Sequence, residues 1–405
     1  MNQKKLLAML VAGACAIPFA AYADDDDDKG AADGVTLYGK LYPEIVSTRG
    51  SGATSAGTTV ATIAATPTGS GAILSSLTMQ SSNSRLGFRG REGLGSGMTA
   101  IWQIESTVGV DDGTGTFGAR DTFVGLKGGF GTVRLGNMDT VFKTYGDELS
   151  FLGVSSGNLV STSNILRKTG FGTNSASSFH LRRINSERYD SPNIGGFQFA
   201  AQYSSNEAKT ATRDPRVLSL GAKYQFGKLE VSLAHEIHND LFGGSRNVRT
   251  SQSNFADLGV NSKDKATQFM VKYDLGAHSI EFDINDKKYN ESGTAVTGRF
   301  QQYHNKSYLL AMESKWSNTW KTAFHYVKSA AGSCSLIGAA CNTNGLDGTQ
   351  VSVGAQYAFS KRTNLFFLYS QLRNGYAARY SNSALDSPSV GEDIRQAALG
   401  LSHSF

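Results

Sequence analysis

The sequence has few of the residues that interrupt or cross-link a chain: 6 Pro and 3 Cys in 405 residues. After the N-terminus no run approaches the roughly 20 apolar residues that a membrane-spanning helix needs. The formal net charge is +5 and no basic stretch stands out, so nothing indicates a nucleic-acid partner. Hydrophobic residues make up 40% and the mean hydropathy is −0.27. Composition alone would therefore suggest a soluble protein.

The N-terminus indicates export instead. Lys4 and Lys5 precede an apolar run over residues 6–19, and residues 21–23 form a small-x-small cleavage site, which is the pattern of a secretory signal. We expect residues 1–23 to be removed. Lipoprotein-type processing at Cys15 is the weaker alternative.

The next ten residues, 24–33, begin with five Asp and a Lys. Such a charge run predicts a solvated, disordered acidic tail. The sequence does not decide whether this run is native or engineered. A calcium site is not expected, because adjacent Asp residues on a flexible tail have no preorganised geometry.

Two cysteines remain after removal of the signal, Cys334 and Cys341, in a turn-rich segment. Exported proteins fold in oxidising surroundings, so we expect a loop disulfide. Metal binding by these two cysteines is a weaker alternative, because no His lies nearby.

From Gly34 onward apolar and polar residues alternate with period 2, as in residues 197–203 and 229–237, which predicts β-strands. The sixteen predicted strands begin near Val35, Arg85, Met98, Arg120, Thr132, Asn185, Phe197, Arg216, Leu229, Lys265, His278, His304, Thr319, Thr349, Asn364 and Asp393. An even number suits a bacterial membrane barrel whose two ends lie on the same side.

The connections alternate between short turns and long polar segments. The short ones are residues 93–97, 128–131, 227–228 and 276–277. The long ones are residues 49–84, 138–183, 240–264, 290–303, 332–348 and 374–392. Short periplasmic turns and long external loops are typical of outer-membrane barrels, whereas long structureless loops are uncommon in compact soluble domains.

Two further features favour a membrane barrel over a soluble sandwich. The chain ends in an alternating strand with a terminal Phe405. Aromatic residues also lie at strand ends, where we expect them to form girdles at the two membrane interfaces. These residues are Tyr203, Phe226, Tyr273, Trp316, Trp320, Tyr357 and Phe359. Only a closed sheet satisfies all its backbone groups in lipid.

Five stretches, residues 34–39, 84–105, 123–136, 185–197 and 403–405, resemble the strands and turns of the trimeric general porins of Gram-negative outer membranes. The resemblance spans nearly all of residues 34–405. It implies a sixteen-stranded antiparallel transmembrane β-barrel, a homotrimer, and contact with outer-membrane lipid and lipopolysaccharide. It also implies a third external loop, here about residues 138–183, folded into the barrel. The expected function is passive diffusion of ions and small hydrophilic solutes, without a cofactor.

Strand parity predicts which side chains face the lumen. The predicted basic lumen residues are Lys40, Arg85, Arg89, Arg91, Arg134 and Arg188. A one-residue slip would place such side chains in hydrocarbon at roughly 2–4 kcal/mol each. The third loop should add the acids Asp139, Asp147 and Glu148, together with the bases Lys143, Arg167, Lys168, Arg182 and Arg183.

Because the bases outnumber the acids, we expect a mildly anion-selective pore. The alternative is that the wall arginines pair with lumen carboxylates, with Glu44, Glu92 and Glu105 as candidates, and only stiffen the wall.

Catalytic and metal sites are not indicated. His235 and His238 are three residues apart in a strand and face opposite sides, so they do not easily share a metal. Residues 93–97 are Gly-rich but join two strands, so they form a turn and not a phosphate loop. Two other functions stay open: a solute-specific anion channel, narrowed by the long third loop, and a surface adhesin or receptor that uses the long first loop, residues 49–84.

Overall fold

The computed structural model describes residues 34–146, 148–154, 158–172, 176–205, 207–248, 259–293, 296–382 and 388–405. The predicted signal and acidic tail, residues 1–33, lie outside these ranges, as does Asp147. In the described part, no helix is long and apolar enough to cross a membrane.

Nineteen β-segments form one closed antiparallel sheet. They are β1 (Gly34–Leu41), β2 (Glu44–Ser51), β3 (Ser76–Gln80), β4 (Arg85–Gly95), β5 (Met98–Thr107), β6 (Thr122–Gly128), β7 (Gly131–Asp139), β8 (Arg182–Asp190), β9 (Phe197–Ser205), β10 (Arg216–Phe226), β11 (Leu229–Asn239), β12 (Asn261–Asp274), β13 (His278–Ser292), β14 (Phe300–Lys315), β15 (Trp320–Ser329), β16 (Ser333–Leu336), β17 (Gly348–Ala358), β18 (Thr363–Asn374) and β19 (Asp393–Ser404). One short helix, α1 (Val141–Thr144), follows β7, with the Thr140 hydroxyl accepting from Lys143 N at its N-cap.

The nineteen segments make sixteen strands, because three strands are each interrupted once. β1 and β2 are one strand broken at Pro43, which has no N–H to donate to a ladder. β3 continues as β4, and β15 continues as β16. The barrel closes where β19 pairs with β1 and β2. The predicted sixteen-stranded antiparallel barrel is confirmed, and each predicted strand start lies within four residues of an observed one.

Alternation sets the two faces of the wall. Large apolar side chains such as Leu37, Leu135, Leu220, Phe282 and Phe367 are exposed on the outside. Their sequence neighbours point inward and are mostly buried or half-buried. This exposed apolar surface is the face that a barrel presents to lipid.

The aromatic girdle differs from the prediction. Six of the seven aromatic residues lie at the short-turn end of the barrel, where Trp320 packs edge-on against Tyr357 with ring centroids 5.1 Å apart. Only Tyr203 lies near the opposite end, two residues before the end of β9. The seven residues therefore form one girdle and not two. The prediction went wrong because it marked strand ends without asking which end of the barrel each one occupies.

The long connections fold against one another rather than projecting singly. Ile63 of the first loop, Phe171, Leu346 and Ala377 come from separate connections and belong to one buried apolar cluster, together with Phe300 at the start of β14.

Three contacts hold the first loop and the neighbouring long connections in place. Thr62 N donates to Asn342 O at 3.2 Å. Glu392 Oε1 accepts from Ile73 N at 3.0 Å. The Sγ atoms of Cys334 and Cys341 are bonded to each other. The first loop is thus packed onto the other loops.

Candidate functional site: the lumen wall

The six basic residues predicted to face the lumen all lie on the inward side of their strands. Arg85 and Arg89 alternate with Leu86 and the exposed Phe88 in β4. In the same way Lys40 lies in β1, Arg134 in β7 and Arg188 in β8, each flanked by residues that face outward. Arg91 continues the inward row of β4 toward the short-turn end.

Glu105 of β5 is the centre of one charge group. Arg120 Nε contacts Glu105 Oε1, and Arg85 Nε lies 3.7 Å from Oε2. The Tyr38 hydroxyl also donates to Oε2, at 3.0 Å. Gly87 leaves the space for this group, because a Cβ there would lie 2.3 Å from Tyr38 Cζ. One carboxylate thus serves two guanidinium groups.

Asp190 at the end of β8 is the centre of a second group with the same design. Arg134 Nη2 lies 2.6 Å from Asp190 Oδ2, and Arg188 Nη2 lies 2.8 Å from Oδ1. Arg188 also donates to Asp139 O and to the Thr144 hydroxyl, both at 3.1 Å. Arg188 therefore links the wall to the segment that follows β7.

Asp139 is shared in the same way. Lys143 Nζ and Arg182 Nη2 both lie 2.9 Å from Asp139 Oδ1, and Arg182 Nε lies 2.5 Å from Asp121 Oδ1. Asp139, Arg182 and Arg183 were predicted to be loop residues, but they belong to β7 and β8. The segment between these strands is therefore residues 140–181, because the ladder continues to the Asp139–Arg182 pair.

Lys40 and Arg89 lie apart from these carboxylates. Lys40 Nζ donates to Gly153 O and lies 5.5 Å from the Tyr42 ring centroid. Arg89 is exposed, and its guanidinium carbon lies 5.2 Å from the Tyr38 ring centroid. Among the described residues, Arg89 has no ion-pair partner, so no carboxylate compensates its charge there.

The three proposed carboxylate partners differ from one another. Glu105 is the partner of two arginines, as above. Glu44 faces inward and is buried, and accepts from the Ser82 hydroxyl at 3.2 Å. Glu92 was expected in the lumen, but it is exposed and shares the outward side of β4 with Phe88. The expectation ignored the parity that the same strand had already given to Arg89 and Arg91.

Residues 140–181 contact inward-facing side chains of the opposite wall. Glu281 of β13 accepts from Glu148 N at 3.0 Å and from Leu149 N at 2.7 Å. Phe151 packs edge-on against His325 of β15, with ring centroids 4.5 Å apart. Of the predicted loop acids, Asp147 lies outside the described residues. Glu148 lies against β13, because its backbone N–H donates to Glu281.

Two basic residues in this contact are fully buried. Arg167 Nε donates to Gln268 Oε1 at 2.9 Å. Lys287 of β13 donates to Leu166 O at 2.7 Å and to the Ser307 hydroxyl at 2.5 Å. Lys168 is half-buried, and burial lowers the pKa of its ammonium group to about 8. Alternation places Lys287 inward, but no signal in the sequence pairs it with Leu166.

The two histidines of β11 do lie on opposite faces. His235 Nδ1 is 2.9 Å from the Thr267 hydroxyl, whereas buried His238 Nε2 is 2.7 Å from Glu236 Oε1. Within the described ranges, no three His, Cys, Asp or Glu side chains are grouped as a metal site would require.

The closed barrel agrees with comparison to known proteins. The sequence profile of the Gram-negative porin family matches residues 7–377. The chain belongs to the Gram-negative porin family. It is an outer-membrane channel protein for passive diffusion.

Relatives in this family include the major outer membrane protein P.IB of Neisseria meningitidis serogroup B. It is 28% identical over 92% of this chain and 94% of its own length. The P.IB protein of Neisseria lactamica is 27% identical over the full length of both chains.

Solved structures share the porin fold. An anion-selective porin from Comamonas acidovorans superposes with a TM-score of 0.67 at 21% identity, over 92% of this chain and all of its own. The trimer form of OmpT from Vibrio cholerae gives 0.62 at 15% identity, over 93% of this chain and all of its own.

Proposed function

We propose that this porin is a mildly anion-selective channel whose permeation path follows the inward face of β1 and β4–β8. Residues 140–181 are its constriction loop, folded against the opposite wall. Residues 1–23 are the export signal, residues 24–33 a short acidic tail, and the working unit is a homotrimer. The anion-selective relative from Comamonas and the trimeric OmpT are consistent with this proposal.

The observation that carries the proposal is the sharing of carboxylates. Glu105 and Asp190 each lie between two arginines. Each such group keeps a net positive charge although every carboxylate is neutralised. Arg89 adds an uncompensated guanidinium beside them. Rings or ladders of Arg and Lys favour anions in a pore, so a wall whose arginines pair with acids in this ratio still favours anions.

A solute-specific anion channel is a narrower form of the same proposal. The cations beside the path would then bind one class of anion, and the current would show saturable block by that solute. A general pore would conduct in proportion to salt concentration.

The test is the reversal potential of purified, refolded protein in a planar bilayer under a KCl gradient. A reversal potential shifted toward that of chloride is the expected result. A shift toward the potassium potential would overturn the proposed anion selectivity, but not the proposal that the barrel conducts ions. Correctly folded barrels without conductance would overturn the proposed path altogether.

A further inference from the structure

Two half-buried aromatic rings lie on the inward face of the early strands, Tyr38 of β1 and Phe123 of β6. Tyr38 belongs to the charge group around Glu105 that is described above. Phe123 pairs across the ladder with Gln103 of β5, which pairs in turn with Arg89 of β4. Residues that are directly opposite each other share a face of the sheet, so Phe123 points inward together with Arg89.

A guanidinium group lies over each of these rings. The guanidinium carbon of Arg89 is 5.2 Å from the ring centroid of Tyr38, and that of Arg134 is 5.2 Å from the ring centroid of Phe123. Cations are attracted to the faces of aromatic rings at such distances, and the planar guanidinium group also stacks on them. The wall therefore carries two pairs, each made of one ring and one cation, on either side of Gln103.

The inward positions opposite the two rings carry no side chain. Gly87 is the register partner of Tyr38, and Gly136 is the register partner of Phe123. In the part of the chain that the structure describes, residues 140–181 make no hydrogen bond, ion pair or ring contact with Phe123, whose ring contact is with Arg134. Phe123 therefore borders the proposed permeation path without contact from the loop.

The cations of the two pairs differ in how far carboxylates compensate their charge. Arg134 Nη2 lies 2.6 Å from Asp190 Oδ2, whereas Arg89 is exposed and has no ion-pair partner among the described residues. The Cα atoms of Arg89 and Phe123 are two strand spacings apart, which is about 10 Å. An anion on the path would thus meet an uncompensated charge at Arg89 and, across Gln103, an aromatic ring.

A ligand that uses both features must carry a negative charge and a ring in one small molecule. A carboxylate accepts paired, charge-assisted hydrogen bonds from a guanidinium group. A ring bonded to that carboxylate would extend over Gln103 toward Phe123. A small inorganic anion would use Arg89 alone, and an acid with a saturated ring would gain no contact between two aromatic rings.

We propose that the inward face of β1 and β4–β6 holds a binding site for aromatic carboxylates, in which the carboxylate binds Arg89 and the ring packs on Phe123. Tyr38 and Arg134 position these two groups through their ring–cation contacts. This inference rests on the proposed permeation path along β1 and β4–β8, and it names the class of organic anion that the path favours. The channel then discriminates among anions, and not only between anions and cations.

The experiment compares benzoate with cyclohexanecarboxylate as blockers of the chloride current through purified, refolded protein in a planar bilayer. Both acids are singly charged at neutral pH and similar in size, and only benzoate has an aromatic ring. Benzoate should reach half-block at a concentration about fivefold lower, as expected for one aromatic contact. Burial of apolar surface alone would not favour benzoate, because the saturated ring exposes at least as much apolar surface.

Two variants separate the two contacts of the site. Phe123→Leu keeps an apolar side chain but removes the ring, so the two acids should block at equal concentrations. Arg89→Gln removes the charge, so both acids should block more weakly by a similar factor, with benzoate still preferred. The matched controls are Phe117→Leu and Arg362→Gln, which change an exposed ring and an exposed cation in connections between strands. Both controls should behave as the wild type does.

Equal block of the wild type by the two acids, or a benzoate preference that persists in Phe123→Leu, would overturn the proposal. The comparison on the wild type needs no variant, so it decides the proposal even where a substitution impairs folding. The reversal potential in the KCl gradient, measured without either acid, tests the proposed anion selectivity separately. A chloride preference without a benzoate preference would overturn this binding site and leave the proposed function intact.

Discussion

The two halves of the inner wall differ in how much of their polar surface meets solvent. On the β1–β8 side, inward residues such as Arg85, Arg89 and Arg134 stay exposed or half-exposed. On the β11–β18 side, inward residues such as Lys287 and His325 are fully buried under residues 140–181. Residues 140–181 therefore cover the inward face of β11–β18 more fully than that of β1–β8, where Lys40 and Arg188 also donate to this segment.

Alternation of apolar and polar residues along the strands is therefore not enough to identify which residues line a pore. Both halves alternate with the same period, and both place polar residues inward. On the later strands those residues hydrogen-bond the loop, as Glu281 and Gln350 do with its backbone. A polar inward residue lines the path only where no loop covers it.

The largest expected effect comes from removing a side chain that packs residues 140–181 against β11–β18. Phe151 is fully buried against His325, so Phe151→Ala should lower the free energy of unfolding by about 3–5 kcal/mol, since it removes a large core side chain. Heat-induced unfolding and single-channel noise are the measurements, because a loosened loop should make the current fluctuate.

The matched control for this change is Phe117→Ala, since Phe117 is 76% exposed. Its unfolding should shift by much less. Equal shifts in the two variants would mean that residues 140–181 do not depend on packing against β11–β18.

Much of this architecture follows from the sequence. Period-2 alternation locates the strands, and parity places Lys40, Arg134 and Arg188 inward. The sharing of Asp190 requires the register of β7 against β8, which alternation does not specify. The Arg167–Gln268 contact joins residues 101 positions apart, and no local pattern encodes such a pairing. Burial of the later wall was missed for the same reason.

The second prediction concerns the inward face of β1–β8. One variant removes a positive charge there and another removes a negative charge. Arg89→Gln removes an uncompensated cation, so the chloride-to-potassium permeability ratio should fall. Glu105→Gln removes the carboxylate shared by Arg85 and Arg120, so the ratio should rise. Each change should be about twofold, because a unit charge beside a wet path contributes less than about 1 kcal/mol.

Reversal potentials measure both changes under the same KCl gradient. Arg362→Gln, in the exposed turn before β18, is the control that removes a cation away from the lumen wall and should leave the ratio unaltered. If Arg89→Gln and Arg362→Gln behave alike, the path does not run along β4.

The smallest effect concerns the titration of Lys168 in residues 140–181. Burial lowers the pKa of Lys168 to about 8, so this ammonium group is charged at pH 7 and mostly neutral at pH 9. Because loss of a cation from the constriction loop weakens the attraction for anions, the chloride preference should decline over this interval. Lys168→Arg keeps its charge across the interval and should flatten the decline. A wild-type pH dependence that persists in Lys168→Arg would place Lys168 away from the path, on the packed side of the comparison.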